Sequence, residues 1–135
     1  MSEYWLAAAI GAGIGVLMLA LFARLPAAKL ADSGFAALIA MVSVYMGAQL
    51  VSGEFNDILI ETGIAIVWVI VARLAMMRWL PSIGVAVFCH GLYDAFVGPH
   101  MGVADWYPPL CAGFDFLVGV GLVAVLLRKS RLKAY

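Results

Sequence analysis

Residues 55–80 read FNDILIETGIAIVWVIVARLAMMRWL, and this stretch decides the fold class. It begins with two carboxylates, Asp57 and Glu61, continues through an apolar run and closes with two cations, Arg73 and Arg78. A hydrocarbon core about 30 Å thick needs about 20 helical residues to cross it, and the stretch is long enough. It therefore predicts a membrane-crossing helix with an acidic end and a basic end on opposite faces.

The rest of the chain is equally apolar. Of its 135 residues, 66% are hydrophobic and 12% are charged, and the mean hydropathy is +1.07. This composition excludes a soluble domain of the same size. We predict an all-α, polytopic membrane helical bundle that forms one domain over residues 1–135. Its five predicted spans lie at about residues 4–25, 34–51, 55–80, 82–97 and 108–127.

The basic residues predict the orientation of the bundle. Every Lys and Arg follows or closes the first, third or fifth span: Arg24, Lys29, Arg73, Arg78, Arg128, Lys129, Arg131 and Lys133. Five spans place all of them on one face, which the positive-inside rule makes cytoplasmic, whereas four spans would divide them. We therefore expect a multi-pass protein of the bacterial inner membrane, embedded in the lipid bilayer, with its N-terminus outside and its C-terminus inside.

Ionisable side chains within the spans predict a polar site. Four of them fall in the outer half of the membrane at 1.5 Å of rise per residue: Glu61, His90, Asp94 and Asp115. A charge at that depth costs about 2.5 to 3.5 kcal/mol, so these groups should face one another or an outward-opening wet cavity. Asp57 shares a helix face with Glu61, as His90 does with Asp94. The alternative is a purely structural set of polar contacts between helices.

The order of these residues resembles a known pattern. It consists of His90-Gly-Leu-Tyr93-Asp94, then His100, Trp106-Tyr107-Pro108, and Cys111-Ala-Gly-Phe-Asp115. Over about residues 45–120 the chain resembles a bacterial family of small integral membrane proteins of unknown function, in which a Glu precedes the first His by nearly thirty residues, as Glu61 does here. The family often has a close His pair where this chain has His100 alone. The resemblance implies a set of site residues and no activity.

The chemistry of the set allows two kinds of site. Imidazoles and carboxylates are ligands for Zn²⁺, iron or manganese, and the candidate metal ligands are His90, Asp94, His100, Asp115, Glu61 and Asp57. Without a metal, the same groups would act as general acid and base, with Glu61, His90, Asp94 and Asp115 as the candidate catalytic residues. Aromatic side chains would hold a lipophilic substrate: Tyr45, Trp68, Phe88, Tyr93 and Phe114. Our first hypothesis is thus a metal-assisted or acid–base membrane enzyme.

Other functions and partners stay open at this point. A chain of acids and histidines also suits a proton or metal-ion transporter, although no acid falls in the cytoplasmic half of a span and no inverted repeat is visible. An accessory membrane subunit is a third hypothesis. Nothing indicates nucleic-acid binding. Small-residue faces at Gly11/Gly15 and Gly119/Gly121 predict close helix packing or a homo-oligomer. Substrate, metal and reaction are not determined by the sequence.

Overall fold

The computed structural model describes residues 2–132, and these form helices joined by short loops. The helices are α1 (Ser2–Phe22), α2 (Ala27–Ser52), α3 (Phe55–Arg78), α4 (Ser82–Phe96) and α5 (Tyr107–Leu132), and one 3-10 turn covers Gly98–His100. No strand occurs within residues 2–132. The all-α prediction is confirmed. Both ends of the predicted domain, and with them Lys133, lie outside the described residues.

Four of the helices are long and apolar enough to cross a membrane. They are α1, α2, α3 and α5, with 21, 26, 24 and 26 residues. By contrast, α4 has 15 residues and is therefore about 22 Å long. Large apolar side chains cover much of the outer surface, including Leu17, Val67 and Ile70, each at least half exposed. A surface of this kind is expected where a protein meets lipid.

The second helix begins earlier than the sequence predicted. It starts at Ala27, directly after Pro26, rather than at residue 34. The predicted start at 34 is wrong, because residues 32–34 continue the helix and Ser33 Oγ donates a hydrogen bond to a backbone carbonyl one helical turn earlier, at 2.9 Å. Gly34 serves packing instead, since an added Cβ would lie 3.0 Å from a methyl of Leu122.

The most extensive contacts between helices are those of α5 with α1 and with α4. Helix α5 runs parallel to α1, with Gly11 against the Leu110 carbonyl, and antiparallel to α4, where an added Cβ on Gly84 would lie 2.5 Å from the Gly119 carbonyl oxygen. Only glycine permits such close approach of two backbones. These contacts hold α4 against α5 along its length.

The glycine faces predicted for an oligomer are used within the chain. Gly11 and Gly15 pack against α5, Gly119 packs against α4, and Gly121 meets the Leu19 side chain of α1. The close helix packing predicted for these glycines is therefore present within the chain. The homo-oligomer stays a prediction.

The basic side chains lie at one end of the bundle. Because α2 and α3 are antiparallel, as are α4 and α5, the described Lys and Arg residues gather at the end where α1, α3 and α5 finish. There Arg73 pairs with Asp32 at 3.5 Å, with both side chains largely exposed. Buried apolar residues fill the interior next to this end, among them Leu30, Ile83 and Leu126.

Candidate functional site

His90 of α4 and Asp115 of α5 meet in the interior of the bundle. His90 Nδ1 lies 2.7 Å from Asp115 Oδ2, and the two side chains are 4% and 1% exposed. Gly91 makes the approach possible, because an added Cβ there would lie 3.0 Å from the Cβ of Asp115. The contact is thus both a link between helices and a buried pairing of titratable groups.

Asp94 adds a second carboxylate to the same imidazole. It lies one turn after His90 on α4, so both side chains leave the same helix face. Its Oδ2 is 3.4 Å from His90 Nδ1, and its side chain has no exposed surface. His90, Asp94 and Asp115, called the HDD cluster below, offer ligand atoms that all lie within 4.8 Å of one another.

Two carboxylate oxygens of the HDD cluster have no hydrogen-bond donor. Tyr45 of α2 donates to Asp94 Oδ1 at 2.7 Å, but Asp94 Oδ2 and Asp115 Oδ1 are buried without a hydrogen-bond partner among residues 2–132. Buried polar atoms are almost always paired, because an unpaired one loses its hydration without replacement. The cluster therefore fits a further positively charged or donating ligand.

The charge balance of the interior points in the same direction. Three carboxylates, Glu61, Asp94 and Asp115, are each at least 93% buried, and one imidazole lies among them. The described Lys and Arg residues are at the far end of the bundle, and nearly all of them are exposed. One protonated His cannot balance three carboxylates. Bound protons or a bound cation must supply the remaining positive charge.

Glu61 is near the HDD cluster but is not part of it. The Tyr93 hydroxyl donates to the Glu61 carboxylate and lies 2.8 and 2.9 Å from its two oxygens. The Tyr93 ring in turn stacks on His90, with ring centroids 6.0 Å apart. The structure thus brings three of the four predicted catalytic residues together and places Glu61 behind Tyr93.

The other two predicted metal ligands lie at the outer surface. Asp57 is exposed and forms a capping box with Glu54 at the start of α3. His100 is exposed in the 3-10 turn. Both line an outer cavity of about 400 Å³ to which Glu61 also contributes. Neither belongs to the group of ligand atoms around His90, so the predicted six-residue ligand set is divided between two places.

Aromatic side chains surround the HDD cluster on the α3 side. Trp68 stands edge-on to His90, with ring centroids 5.9 Å apart. A void of about 10 Å³ is left between Tyr45, Glu61, Trp68, His90 and Tyr93, which is about the space of one water molecule. Of the other predicted walls, Phe88 packs on Phe116, and the backbone of Phe114 lies against α1 at Gly11 and Gly15.

A long apolar groove runs between α3 and α4 on the exposed side of these two helices, next to the cluster. Its volume is about 670 Å³, and it extends along α3 from Gly63 to Trp79. Ile64 and Trp68 line both this groove and the small void beside His90. Below, it is called the α3/α4 groove.

Hydrogen bonding by tyrosine is the feature that the sequence did not indicate. Tyr45 and Tyr93 were expected as walls, yet each bonds a buried carboxylate. Tyr93 lies three positions after His90, so the spacing indicated only that its ring shares a face of α4 with the imidazole. For Tyr45, which comes from a distant helix, no sequence signal existed. Comparison with protein-family models, with curated proteins and with solved structures gave no match for this chain.

Proposed function

We propose that this chain is a five-span membrane enzyme whose HDD cluster binds a divalent cation and acts on a lipophilic substrate. The short helix α4 is the fourth span in this proposal. The N-terminus is outside and the C-terminus is inside the bacterial inner membrane, because the positive-inside rule places the basic end of the bundle in the cytoplasm.

One observation carries the metal proposal. Asp94 Oδ2 and Asp115 Oδ1 are buried without a hydrogen-bond partner in the described part of the chain, and Asp94 Oδ2 lies 3.4 Å from His90 Nδ1. A divalent cation would balance both carboxylates with His90 neutral, and such ligands are deprotonated when a metal binds. One imidazole and two carboxylates suit Zn²⁺, iron or manganese. Tyr45 would orient Asp94 from behind, as hydrogen-bond partners of metal ligands commonly do.

The surrounding residues support an enzyme. A divalent cation in this place would polarise a carbonyl or phosphoryl oxygen of a substrate. Glu61 lies between the outer cavity and the void beside His90, where its carboxylate can exchange protons with the outer aqueous phase. Trp68 and Tyr93 exclude bulk water from the cluster, and the apolar groove beside Trp68 favours a lipophilic substrate.

A transport function receives less support. Between the HDD cluster and the basic end, the interior is filled by Val87, Ile83 and Leu122, each at most 3% exposed. A proton or metal-ion pathway through the membrane would need polar groups or water in that half. Metal uptake by vesicles that contain the purified protein would favour the transporter over the enzyme.

Elemental analysis of the purified protein tests the metal proposal. We expect close to one equivalent of Zn, Fe or Mn in the wild type and less than a tenth of that in His90→Ala. His100→Ala is the matched control, because it removes the second histidine outside the cluster. Equal metal content in all three proteins would contradict the proposal, as would a wild type that stays metal-free after incubation with each ion. Circular dichroism verifies that both variants are folded.

A further inference from the structure

We infer that the α3/α4 groove binds one long hydrocarbon chain of the substrate and places the polar group of that substrate at Trp68, beside the HDD cluster. This inference rests on the proposed function, which requires a lipophilic substrate but does not say where it binds. The groove contains no carboxylate, Lys or Arg side chain among its lining residues.

The shape of the groove comes from small side chains on both helices. Gly63, Ala72 and Ala75 of α3 and Ala86 of α4 line it together with larger apolar residues of both helices. An added Cβ at Gly63 would meet no atom within 4 Å. The hollow is therefore built into the sequence of the two helices and open along its length.

The groove leads to the polar site. Cys89, which directly precedes His90, is one of its lining residues. Trp68 separates the two spaces: its indole lines the groove and also lies edge-on to the His90 ring. A chain that fills the groove would therefore bring its head group to Trp68, beside the void next to His90.

The length of the groove indicates a long chain. From Trp68, where the head group would lie, to Trp79, α3 rises about 16 Å at 1.5 Å per residue. One leaflet of the hydrocarbon core is about 15 Å thick. A chain with its head group at Trp68 would therefore extend toward the basic end over about the thickness of one leaflet.

The volume favours a chain over a helix of a partner or of a second copy. A helix about 10 Å across and 24 Å long occupies about 1,900 Å³, nearly three times the groove volume of about 670 Å³. A helix of that size does not fit inside the groove. A hydrocarbon chain can enter the hollow and contact both walls.

Tryptophan fluorescence tests this inference directly. A protein that keeps only Trp68, with Trp5, Trp79 and Trp106 replaced by Phe, is titrated in detergent with a dibrominated long-chain alcohol, because bromine quenches indole on contact. We expect saturable quenching. An alcohol with half the chain length should bind at least tenfold more weakly.

Two substitutions locate the binding site. Gly63→Leu and, as a second variant, Ala75→Leu place a side chain in the groove, and each should weaken the quenching at least tenfold. Gly47→Leu on α2 is the matched control, because an added Cβ there also meets no atom within 4 Å and Gly47 is outside the groove. It should leave the quenching unchanged.

Metal analysis of the same samples separates the two proposals. Loss of saturable quenching in Gly63→Leu and Ala75→Leu with full metal content would support both. Saturable, groove-dependent quenching in a protein without metal would retain the groove inference and reject the metal. Quenching that rises linearly, or that is equal in the wild type and the two groove variants, would overturn the groove inference whatever the metal content.

Discussion

His90 Nδ1 of α4 lies 2.7 Å from Asp115 Oδ2 of α5, in the interior of a bundle whose outer surface is apolar. The same two helices approach closely at Gly84 and Gly119. A polar contact and a glycine contact thus fix α4 against α5 at two levels. The position of His90 is set by the backbone packing of two helices and does not depend on a loop.

The first prediction distinguishes the HDD cluster from Glu61. Asp94→Asn should reduce bound metal to less than a tenth of the wild-type content, because the amide removes the charge that the cation balances. Glu61→Gln should retain at least four fifths, because Glu61 is outside the group of ligand atoms. Elemental analysis at equal protein concentration gives both values. If both variants lost metal equally, Glu61 would have to be a ligand.

The second prediction concerns the tyrosine that bonds Asp94. Tyr45→Phe leaves a further buried carboxylate oxygen unpaired and should lower the free energy of unfolding by about 1 to 3 kcal/mol. Tyr4→Phe is the matched control, since Tyr4 is 47% exposed. Unfolding in mixed micelles, followed by circular dichroism, gives the comparison. An equal effect of both changes would show that the Tyr45 hydroxyl does not stabilise the bundle.

The third prediction concerns glycine contacts between α1 and α5. Gly113→Ala should destabilise the bundle by about 1 to 3 kcal/mol, because the new methyl would collide with the Ala8 carbonyl. Gly13→Ala, where an added Cβ meets nothing within 4 Å, should be neutral or stabilise by up to about 1 kcal/mol. The same unfolding assay measures both. Destabilisation by Gly13→Ala alone would contradict this packing of α1.

The fourth prediction concerns the proposed topology. Reporter fusions after Arg24 and Trp79 should give a cytoplasmic signal, and fusions after Gly53 and Val103 a periplasmic one, because these positions lie in loops at the basic and the acidic end. Paired phosphatase and fluorescent reporters provide the measurement. A cytoplasmic signal at Val103 would show that α4 does not cross the membrane, and it would place His100 on the cytoplasmic side instead of the periplasmic side.

Most of the fold followed from apolar length and charge placement. Residues 55–80 predicted α3 to within two residues, because the apolar run ends at polar groups on both sides. The start of α2 was missed, since Ser33 and Gly34 are typical of turns in isolation. Only the neighbouring helix shows that Gly34 is needed for packing.

The sequence indicated which ionisable residues lie in the interior, but it did not indicate which of them contact one another. Helical spacing placed His90 and Asp94 on one face, and depth added Asp115. Depth also placed Glu61 at a similar level, but the rotation of α3 around its axis is set by packing. The hydroxyl of Tyr93 takes up the space through which Glu61 would otherwise reach His90. No sequence pattern contains that information.

The short fourth helix has a mechanical consequence for the surrounding lipid. At about 22 Å, α4 falls about 8 Å short of an average hydrocarbon core. As the fourth span that we propose, it would require the bilayer beside it to thin, at a cost of fractions of a kcal/mol per Å. Lipid tails along the α3/α4 groove would then be compressed relative to those around α1. A tail that leaves the bilayer and enters the groove escapes that compression, so uptake should be stronger from thick bilayers than from thin ones.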